Sequence, residues 1–307
     1  MKIDDLKKSN RVEDRRGQRS TGGGFGRSSG GGGGLGTGLL LQLLLSSGKG
    51  KWLILGLLLL TFIGGGSNLG SLVGLDTGGY SNTYQEAAES SSTDVTDDEA
   101  VFLSKVFQST EDFWTEEFAS EGRRYNPPTL VLYSGRTSTA CGLGDAATGP
   151  FYCPGDKKVY IDLSFYRDLT TKYNAEGDFA MAYVIAHEVG HHVQNELGTM
   201  KEFSRARQQL SEKEANALTV RLELQADYYA GAWAKYVGGQ GLLEPGDIDE
   251  AMAAAHAVGD DTLQEQAYGR VVPDSFTHGT SEQRRKWFDR GYQYGDLAHG
   301  DTFSGDI

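Results

Sequence analysis

Histidine and glutamate residues at fixed spacing suggest metal-assisted chemistry on water. The stretch 183–195 reads YVIAHEVGHHVQN, and its segment 187–191 is an HExxH motif. On a helix, His187 and His191 project from one face a turn apart, so both imidazoles can bind the same zinc ion. Glu188 follows the first of them and can reach a water molecule in an open metal position, where it would act as general base. The alternative is a buried amphipathic helix with a polar patch.

The residues around the motif favour the metal interpretation. The apolar run 179–186 leads into it, as expected for a helix that crosses a core. Gly190 lies inside the motif and lowers helix propensity by about 1 kcal/mol relative to alanine, so we expect it to serve close packing. The pattern predicts a helix over 178–197, ended by Gly198 in a left-handed conformation.

A catalytic zinc usually has three protein ligands, so the histidine pair needs a third. His192 points about 100° away from His191 on a helix and is a poor ligand. Glu223 is the better candidate, on a second predicted helix over 211–237. Asp227 follows one turn later and could accept the ring N–H of a zinc-bound histidine. Apolar neighbours indicate a buried face rather than a solvated one, and a buried carboxylate without a partner is costly.

Apolar periodicity and turn residues outline the rest of this region. Residues 129–133 and 159–163 have the composition of strands. Helices are expected where apolar residues recur at helical spacing, at 99–118, 164–173, 178–197, 211–237, 247–258 and 281–292. The predicted fold class is therefore α+β, with a small sheet and several helices.

Cys141 and Cys153 lie twelve positions apart in a glycine-rich loop, and the chain contains no other cysteine. A cysteine-rich metal site is thereby excluded. Outside the cytoplasm the two thiols would most simply form a disulfide, whereas in a reducing compartment they would be two free buried thiols.

The first 51 residues differ in charge from the rest of the chain. They carry 10 Lys and Arg against 4 Asp and Glu, whereas residues 52–307 carry 19 against 38. The acidic part argues against a nucleic-acid partner. Residues 21–38 are rich in glycine and serine and cannot bury enough apolar surface to offset their ordering entropy. We interpret 1–51 as a flexible arm, either solvated or in contact with anionic lipid headgroups.

An uncharged apolar segment follows the arm. Residues 52–74 are long enough to span a bilayer, which takes ~20 residues, and Lys49 and Lys51 flank their N-terminal end. The positive-inside rule then places 1–51 in the cytoplasm, with a linker over 75–98 and a catalytic domain over 99–307 on the outer side. A cleaved signal peptide or a core helix are the alternatives. The pattern predicts a single-pass protein of the cell membrane.

Together these motifs resemble a known family. The HExxH helix followed by Glu223 and Asp227 on a second helix is similar to the gluzincin arrangement of zinc peptidases. A basic glycine-rich arm, one anchor and the segments GPFYCP, VYIDLSF, AHEVGHHVQ, ELQADYYAG and THGTSEQR resemble the predicted neutral zinc metallopeptidases, a bacterial membrane-anchored family. The resemblance extends from about residue 12 to residue 291. It implies a zincin-like metallopeptidase domain, one zinc ion per chain and a peptide or protein substrate.

The resemblance also gives His278 a possible role. In gluzincins a histidine or tyrosine downstream of the third ligand often stabilises the oxyanion formed during amide hydrolysis, and His278 occupies a comparable place. The alternative is a loop histidine that caps the following helix. Arg284 could pair with a substrate carboxylate or serve structure, whereas His256 and His299 lie in no motif.

Two functions fit the sequence. The first is a zinc peptidase in which Glu188 acts as general base and His187, His191 and Glu223 bind the metal. An extended peptide could then add to a sheet edge at 151–153 or 159–163. The second is a non-catalytic envelope scaffold or adaptor stabilised by zinc. Structural zinc sites usually have four protein ligands, and Glu188 has no task in such a site, so the enzyme is favoured.

Overall fold

A small, mostly parallel sheet forms one side of the domain, and helices pack against it. The computed structural model describes residues 1–17, 96–173, 175 and 177–307. Within these ranges the strands are β1 (Val12–Asp14), β2 (Thr129–Tyr133), β3 (Arg136–Thr139), β4 (Gly142–Asp145), β5 (Phe151–Cys153) and β6 (Lys158–Asp162). The main sheet has the order β1-β2-β6-β5, with β5 antiparallel to β6 and the other pairs parallel. The strand pair β3–β4 is a separate antiparallel hairpin.

The helices account for most of the described residues. In chain order they are α1 (Asp98–Ser120), α2 (Ser164–Tyr173), α3 (Asp178–Leu197), α4 (Thr199–Arg207), α5 (Glu212–Gly239), α6 (Asp247–Ala257), α7 (Asp260–Tyr268) and α8 (Ser281–Tyr294). Short 3₁₀ turns occur at Ala146–Thr148 and Pro273–Ser275. The α+β class is confirmed, and the helices expected from apolar periodicity are present within one or two residues at most ends. The sequence patterns did not predict β1, the β3–β4 hairpin, α4 or α7.

The central strands β2 and β6 are buried along almost their whole length, with only their first residues partly exposed. Such strands have continuous apolar runs because both faces of the sheet are covered. The helices cover one face. The hairpin lies over the other, where apolar side chains of the sheet form a small second core with residues of the hairpin region: Val131, Tyr133, Phe151, Cys153, Tyr160, Cys141 and Ala146.

A disulfide joins Cys141, in the turn of the hairpin, to Cys153 at the end of β5. This confirms the oxidised alternative of the two that the sequence left open. The bond holds the hairpin against the strand that forms one edge of the main sheet.

Helices α5 and α8 pack at unusually short range, and glycine makes this possible. A Cβ on Gly291 of α8 would overlap the carbonyl oxygen of Tyr228 in α5, and a Cβ on Gly231 of α5 would overlap the carbonyl oxygen of Phe288. The reciprocal pair brings the two helix backbones into direct contact. The last helix is thereby fixed on the helix that carries Glu223 and Asp227.

Residues 1–17 pack on the same body as the rest of the described chain. Strand β1 pairs with β2. The α-amine of Met1 donates to Asp178 at 2.9 Å and to the buried Asp247 at 3.3 Å. Arg16 binds Asp97, at 2.6 Å between Nη2 and Oδ2. The first part of the expected flexible arm is therefore ordered on the domain, whereas residues 18–51 lie outside the described residues.

The prediction of a single-pass membrane protein is corrected by these contacts. A single crossing within 52–74 would place residues 1–17 and the domain over 99–307 on opposite sides of a membrane, yet β1 completes the sheet of that domain. Across the ranges that the structure describes, none of the helices combines the length and apolarity that a membrane span needs. The segment 52–74 itself lies outside those ranges, and the division of the chain at 51, 74 and 98 stays a prediction.

Replacing Gly291 by alanine tests the helix contact. The new methyl group has no space beside Tyr228, so we expect the free energy of unfolding to fall by about 1–3 kcal/mol or more, as for overpacked cores. The matched control is Gly239→Ala, because Gly239 is exposed at the end of α5 and a Cβ there meets nothing within 4 Å. That change should be neutral or stabilise by up to about 1 kcal/mol. Urea denaturation of both variants decides, and equal stabilities would contradict the steric argument.

Candidate metal centre

The HExxH motif begins in the middle of the core-crossing helix α3. The apolar residues before it, 179–186, are buried except for the partly exposed Val184. Gly198 ends the helix in a left-handed conformation with φ of 89°, and its N–H donates to the carbonyl of Asn195. Both features match the sequence prediction. They place the motif histidines on successive turns inside the core rather than on the surface.

Gly190 brings α3 close to α5, as expected from its position inside the motif. A Cβ on Gly190 would lie 3.1 Å from both the Cα and the carbonyl oxygen of Ala226. This separation is shorter than an ordinary van der Waals contact, so a larger residue would push the two helices apart. The close approach allows side chains from the facing turns of α3 and α5 to meet.

Helix α5 supplies the acidic side chains. It begins with the capping box predicted from Ser211 and Glu214, in which each side chain accepts from the backbone N–H of the other residue. Further along, Glu223 is 2% exposed and Asp227 is fully buried. The alternative of a solvated helix face is therefore excluded for these carboxylates.

His187, His191 and Glu223 converge at the contact between α3 and α5. The Nε2 atom of His187 lies 3.3 Å from Oε2 of Glu223, and Nε2 of His191 lies 3.5 Å from Oε1. One potential ligand atom from each residue lies within 4.8 Å of the other two, and all three residues are buried. These are the side chains whose spacing in the sequence suggested a shared zinc ion.

The donor set fits a divalent cation. The Nδ1 atom of each histidine faces an oxygen acceptor, so a neutral ring carries its proton there and turns the Nε2 lone pair toward Glu223. Buried Oε1 of Glu223 has no hydrogen-bond partner among the described residues. The site thus brings together two imidazole nitrogens and one carboxylate, and one oxygen of that carboxylate has no hydrogen-bond donor among the described residues. Zinc binds nitrogen and oxygen ligands of these kinds in catalytic sites.

Protons compete with a metal for these ligands. Burial opposes a charge on His187, but Asp227 and Glu223 outweigh it and raise the pKa of His187 to about 9. Burial also acts to raise the pKa of Glu223, yet the neighbouring histidines hold it well below its usual range. Metal binding must therefore displace protons from the imidazoles.

Asp227 is the centre of a buried hydrogen-bond network. Its Oδ1 accepts from Tyr183 Oη at 2.5 Å and from His187 Nδ1 at 2.9 Å. Arg284 completes the network, with Nε at 2.9 Å from Oδ2 and Nη2 at 3.0 Å from Oδ1. Of the two roles open to Arg284, this geometry matches the structural one. Burial of the Asp227 carboxylate is balanced by the guanidinium, whose charge lowers the pKa of Asp227 below its usual value.

Glu188 and His278 lie near this group without joining it. Burial raises the pKa of Glu188 above its usual value, although the motif histidines act in the opposite direction. His278 Nδ1 lies 3.1 Å from Oδ1 of Asp260, while Oδ2 of Asp260 accepts from the backbone N–H groups of residues 277–279. Burial opposes a charge on His278, yet Asp260 and the nearby Glu223 raise its pKa. No motif in the sequence indicated Asp260.

His192 and His299 have other partners. His192 is fully buried on a different side of α3, where Tyr152 Oη donates to its Nδ1 at 2.9 Å and its Nε2 donates to the carbonyl of Asn126 at 2.7 Å. His192 therefore points away from His191 around the helix axis, as expected from helix geometry, and does not face the ligand group. His299 pairs with Asp296 and stacks on Tyr294 at the surface.

Comparison with known proteins agrees with these motifs. The model of a family described as "Putative neutral zinc metallopeptidase" matches residues 1–303. The chain belongs to this family. An "Uncharacterized protein YpfJ" of Escherichia coli strain K12 is 47% identical over 301 residues, which cover 98% of either chain. An "Uncharacterized protein Rv2575" of Mycobacterium tuberculosis is 47% identical over 191 residues, 59% of this chain and 64% of its own. No solved structure matches the chain significantly.

The family match includes residues 12–291, over which the sequence motifs indicated the resemblance, and also residues 1–11. The family description implies zinc, and the described residues contain a matching ligand group in His187, His191 and Glu223. A second group of carboxylates at Asp178, Asp247 and Glu250 is partnered by the α-amine of Met1 and by backbone N–H groups.

The buried His192 gives a test by pH. Desolvation lowers its pKa from 6.5 to about 4, so the unfolded chain binds a proton that the native chain does not as pH falls through that window. Stability contributed by the neutral ring is present above pH 6.5 and is lost toward pH 4. We expect the unfolding free energy of the wild type to fall more steeply than that of His192→Gln, with an excess slope of up to about 1.4 kcal/mol per pH unit. Urea denaturation across this range measures it, and parallel profiles would contradict it.

Proposed function

We propose that the protein is a zinc-dependent peptidase with a zincin-like catalytic domain. The observation that carries the proposal is the buried convergence of His187, His191 and Glu223 beside the buried carboxylate of Glu188. A purely structural zinc site would need a fourth protein ligand and would leave Glu188 without a task. We expect no nucleic-acid partner, because residues 52–307 carry an excess of acidic side chains.

Zinc, when bound by these three residues, lowers the pKa of water and polarises the scissile carbonyl. Glu188 removes a proton from the attacking water and returns it to the leaving amine. Its burial supports this role, because a carboxylate with a raised pKa accepts a proton more readily at neutral pH. Asp227 holds the ring of His187 with its proton on Nδ1 and its Nε2 toward the ligand group.

His278 is the candidate donor to the oxyanion. Its Nδ1 faces Asp260, so a neutral ring would carry its proton there and only a protonated ring donates from Nε2 as well. The raised pKa of His278 favours that protonated form. Donors of this kind stabilise negative charge that develops in the transition state and typically contribute 10²–10³-fold in rate.

The main sheet suggests how an extended peptide binds. Strand β6 is internal, because β2 and β5 pair with it on either side. Of the two edges named in the sequence analysis, β5 is therefore the one that can accept an added strand. It also lies beside α3, since Tyr152 in β5 donates to His192. Main-chain hydrogen bonds to β5 would align a peptide beside the motif helix.

Paired variants separate peptidase from scaffold. Glu188→Gln keeps the size of the side chain and removes the base, so zinc content and thermal stability should stay near wild type while peptide hydrolysis falls by at least ~10²-fold. His187→Ala should lose zinc affinity and hydrolysis together. The measurements are zinc titration of the full chain and cleavage of a peptide library, with and without chelator.

Release of zinc by Glu188→Gln would instead make Glu188 a ligand and the proposed ligand set wrong. If the zinc-loaded wild type cleaves no peptide and Glu188→Gln retains the cellular role of the protein, the non-catalytic scaffold is the function. Failure of the wild type to bind any divalent metal would refute both forms of the proposal.

Replacing His278 tests the oxyanion role separately. His278→Ala should leave zinc affinity near wild type and lower kcat by about 10²–10³-fold, because the donor acts on the transition state. Asp260→Asn should lower the pH above which activity declines, since loss of the carboxylate charge lowers the pKa of His278. The N-cap of α8 is Thr280, so the structure does not support the alternative in which His278 caps this helix. An unchanged pH profile for Asp260→Asn, or an unchanged kcat for His278→Ala, would exclude the oxyanion role and leave His278 with its structural contact to Asp260.

A further inference from the structure

The motif histidines are supported by different chemistry. His187 donates to the carboxylate of Asp227, whereas His191 Nδ1 lies 2.9 Å from the amide oxygen Oε1 of Gln194. Gln194 follows His191 by three positions on α3 and is fully buried. Because buried polar groups are nearly always hydrogen-bonded, each polar atom of the Gln194 amide should have a partner.

The other contacts of Gln194 determine which way its amide points. Its Nε2 lies 2.7 Å from the carbonyl oxygen of Leu222 and 3.2 Å from Oε1 of Gln225. A backbone carbonyl can only accept, so the atom facing Leu222 must be the NH₂ group and the atom facing His191 must be the oxygen. An oxygen at that position requires a proton on His191 Nδ1. The Nε2 lone pair of a neutral His191 then faces Glu223.

The orientation of the Gln225 amide is determined in the same way. Its Nε2 lies 2.8 Å from the carbonyl oxygen of Gly300, again an atom that can only accept, so its Oε1 faces Gln194. Gly300 can lie there because it has no Cβ, which would be 2.7 Å from the ring of Tyr228. Arg221 of α5 also binds the C-terminal segment. Its guanidinium donates to the carbonyl of Thr302, and its backbone carbonyl accepts from the Thr302 hydroxyl.

We propose that Gln194 and Gln225 form an amide relay that positions His191 as a metal ligand and connects it to the C-terminal segment at Gly300. The inference rests on the proposed zinc site. Both glutamines are positioning residues, since neither reaches the ligand atoms themselves. The segment that contributes Gly300 becomes part of the support of the metal centre, although it follows the last motif of the family pattern.

Charge explains why an amide serves here where Asp227 serves the other histidine. The site already holds the buried carboxylates of Glu223, Asp227 and Glu188. Arg284 balances Asp227 directly. Another buried carboxylate behind His191 would need a cation of its own, because an uncompensated buried charge is strongly destabilising. An amide supplies the acceptor without that charge, and its NH₂ group anchors it to α5.

Gln194→Met tests the relay, because it keeps the length of the side chain and removes the acceptor. We expect the zinc dissociation constant of the full chain to rise by about 10–100-fold, as when other partners of metal-bound histidines are lost. Gln225→Met should have a smaller effect, since Leu222 still orients Gln194. The readout is competition with a chromophoric chelator, together with the Nδ1–H resonance of His191 in the zinc-loaded protein, which should shift most in Gln194→Met and less in Gln225→Met.

Ser109→Ala is the matched control. It removes another buried hydrogen bond, from Trp233 Nε1 to Ser109 Oγ at 3.0 Å, away from the ligand group. It should lower thermal stability and leave zinc affinity unchanged. An equal loss of zinc affinity in Ser109→Ala and Gln194→Met would overturn the proposal, because general destabilisation would then explain both.

Hydrogen exchange tests the connection to Gly300. Zinc should slow backbone exchange in peptides covering 296–302 of the wild type, and Gln225→Met should abolish that effect. No effect of zinc on this segment would overturn the extension to Gly300. Zinc binding by Gln194→Met that equals wild type would overturn the relay while the proposed zinc site stands. Absence of zinc binding by the wild type would refute the proposed function, and the relay with it.

Discussion

The close contact between α3 and α5 is the constraint on which the site depends. A Cβ on Gly190 would lie only 3.1 Å from the backbone of Ala226, so the glycine allows a close approach in which the facing turns of the two helices bring imidazoles and carboxylates together away from water. Burial makes each of these groups costly unless it is paired. Asp227 with Arg284, and Gln194 with Gln225, meet that requirement for the groups behind the histidines. The remaining donors point inward at each other, which is the arrangement that a cation stabilises.

Most residues of the candidate site could be predicted from the sequence because they recur at helical spacing. His187, Glu188 and His191 belong to one short motif, and Glu223 and Asp227 to one face of a second helix. The same spacing, extended one turn beyond each end of the motif, reaches Tyr183 and Gln194, both of which contact the network. Asp260 could not be found this way, because it meets His278 through a loop whose path no local pattern describes.

The sheet was harder to anticipate than the helices. Strands β2 and β6 have the apolar runs of buried strands, whereas β1 is three residues of mixed polarity, VED, whose strand form depends on pairing with β2. Polar composition and nearby glycine made this region resemble a tail. Misplacing β1 had a larger effect than missing one strand, because it allowed a topology in which the two ends of the chain were separated by a membrane.

Arg16 and Asp97 are 81 positions apart and form an ion pair. The described domain therefore contains residues from both sides of the segment 18–95, and the residues that flank this segment lie close together. Joining the two ends of a loop costs entropy that grows only with the logarithm of loop length, about 0.6 kcal/mol for each doubling. The fold of the described residues thus sets where this segment leaves and returns but places little thermodynamic limit on its length. Relatives could lengthen or shorten it without disturbing the metal centre.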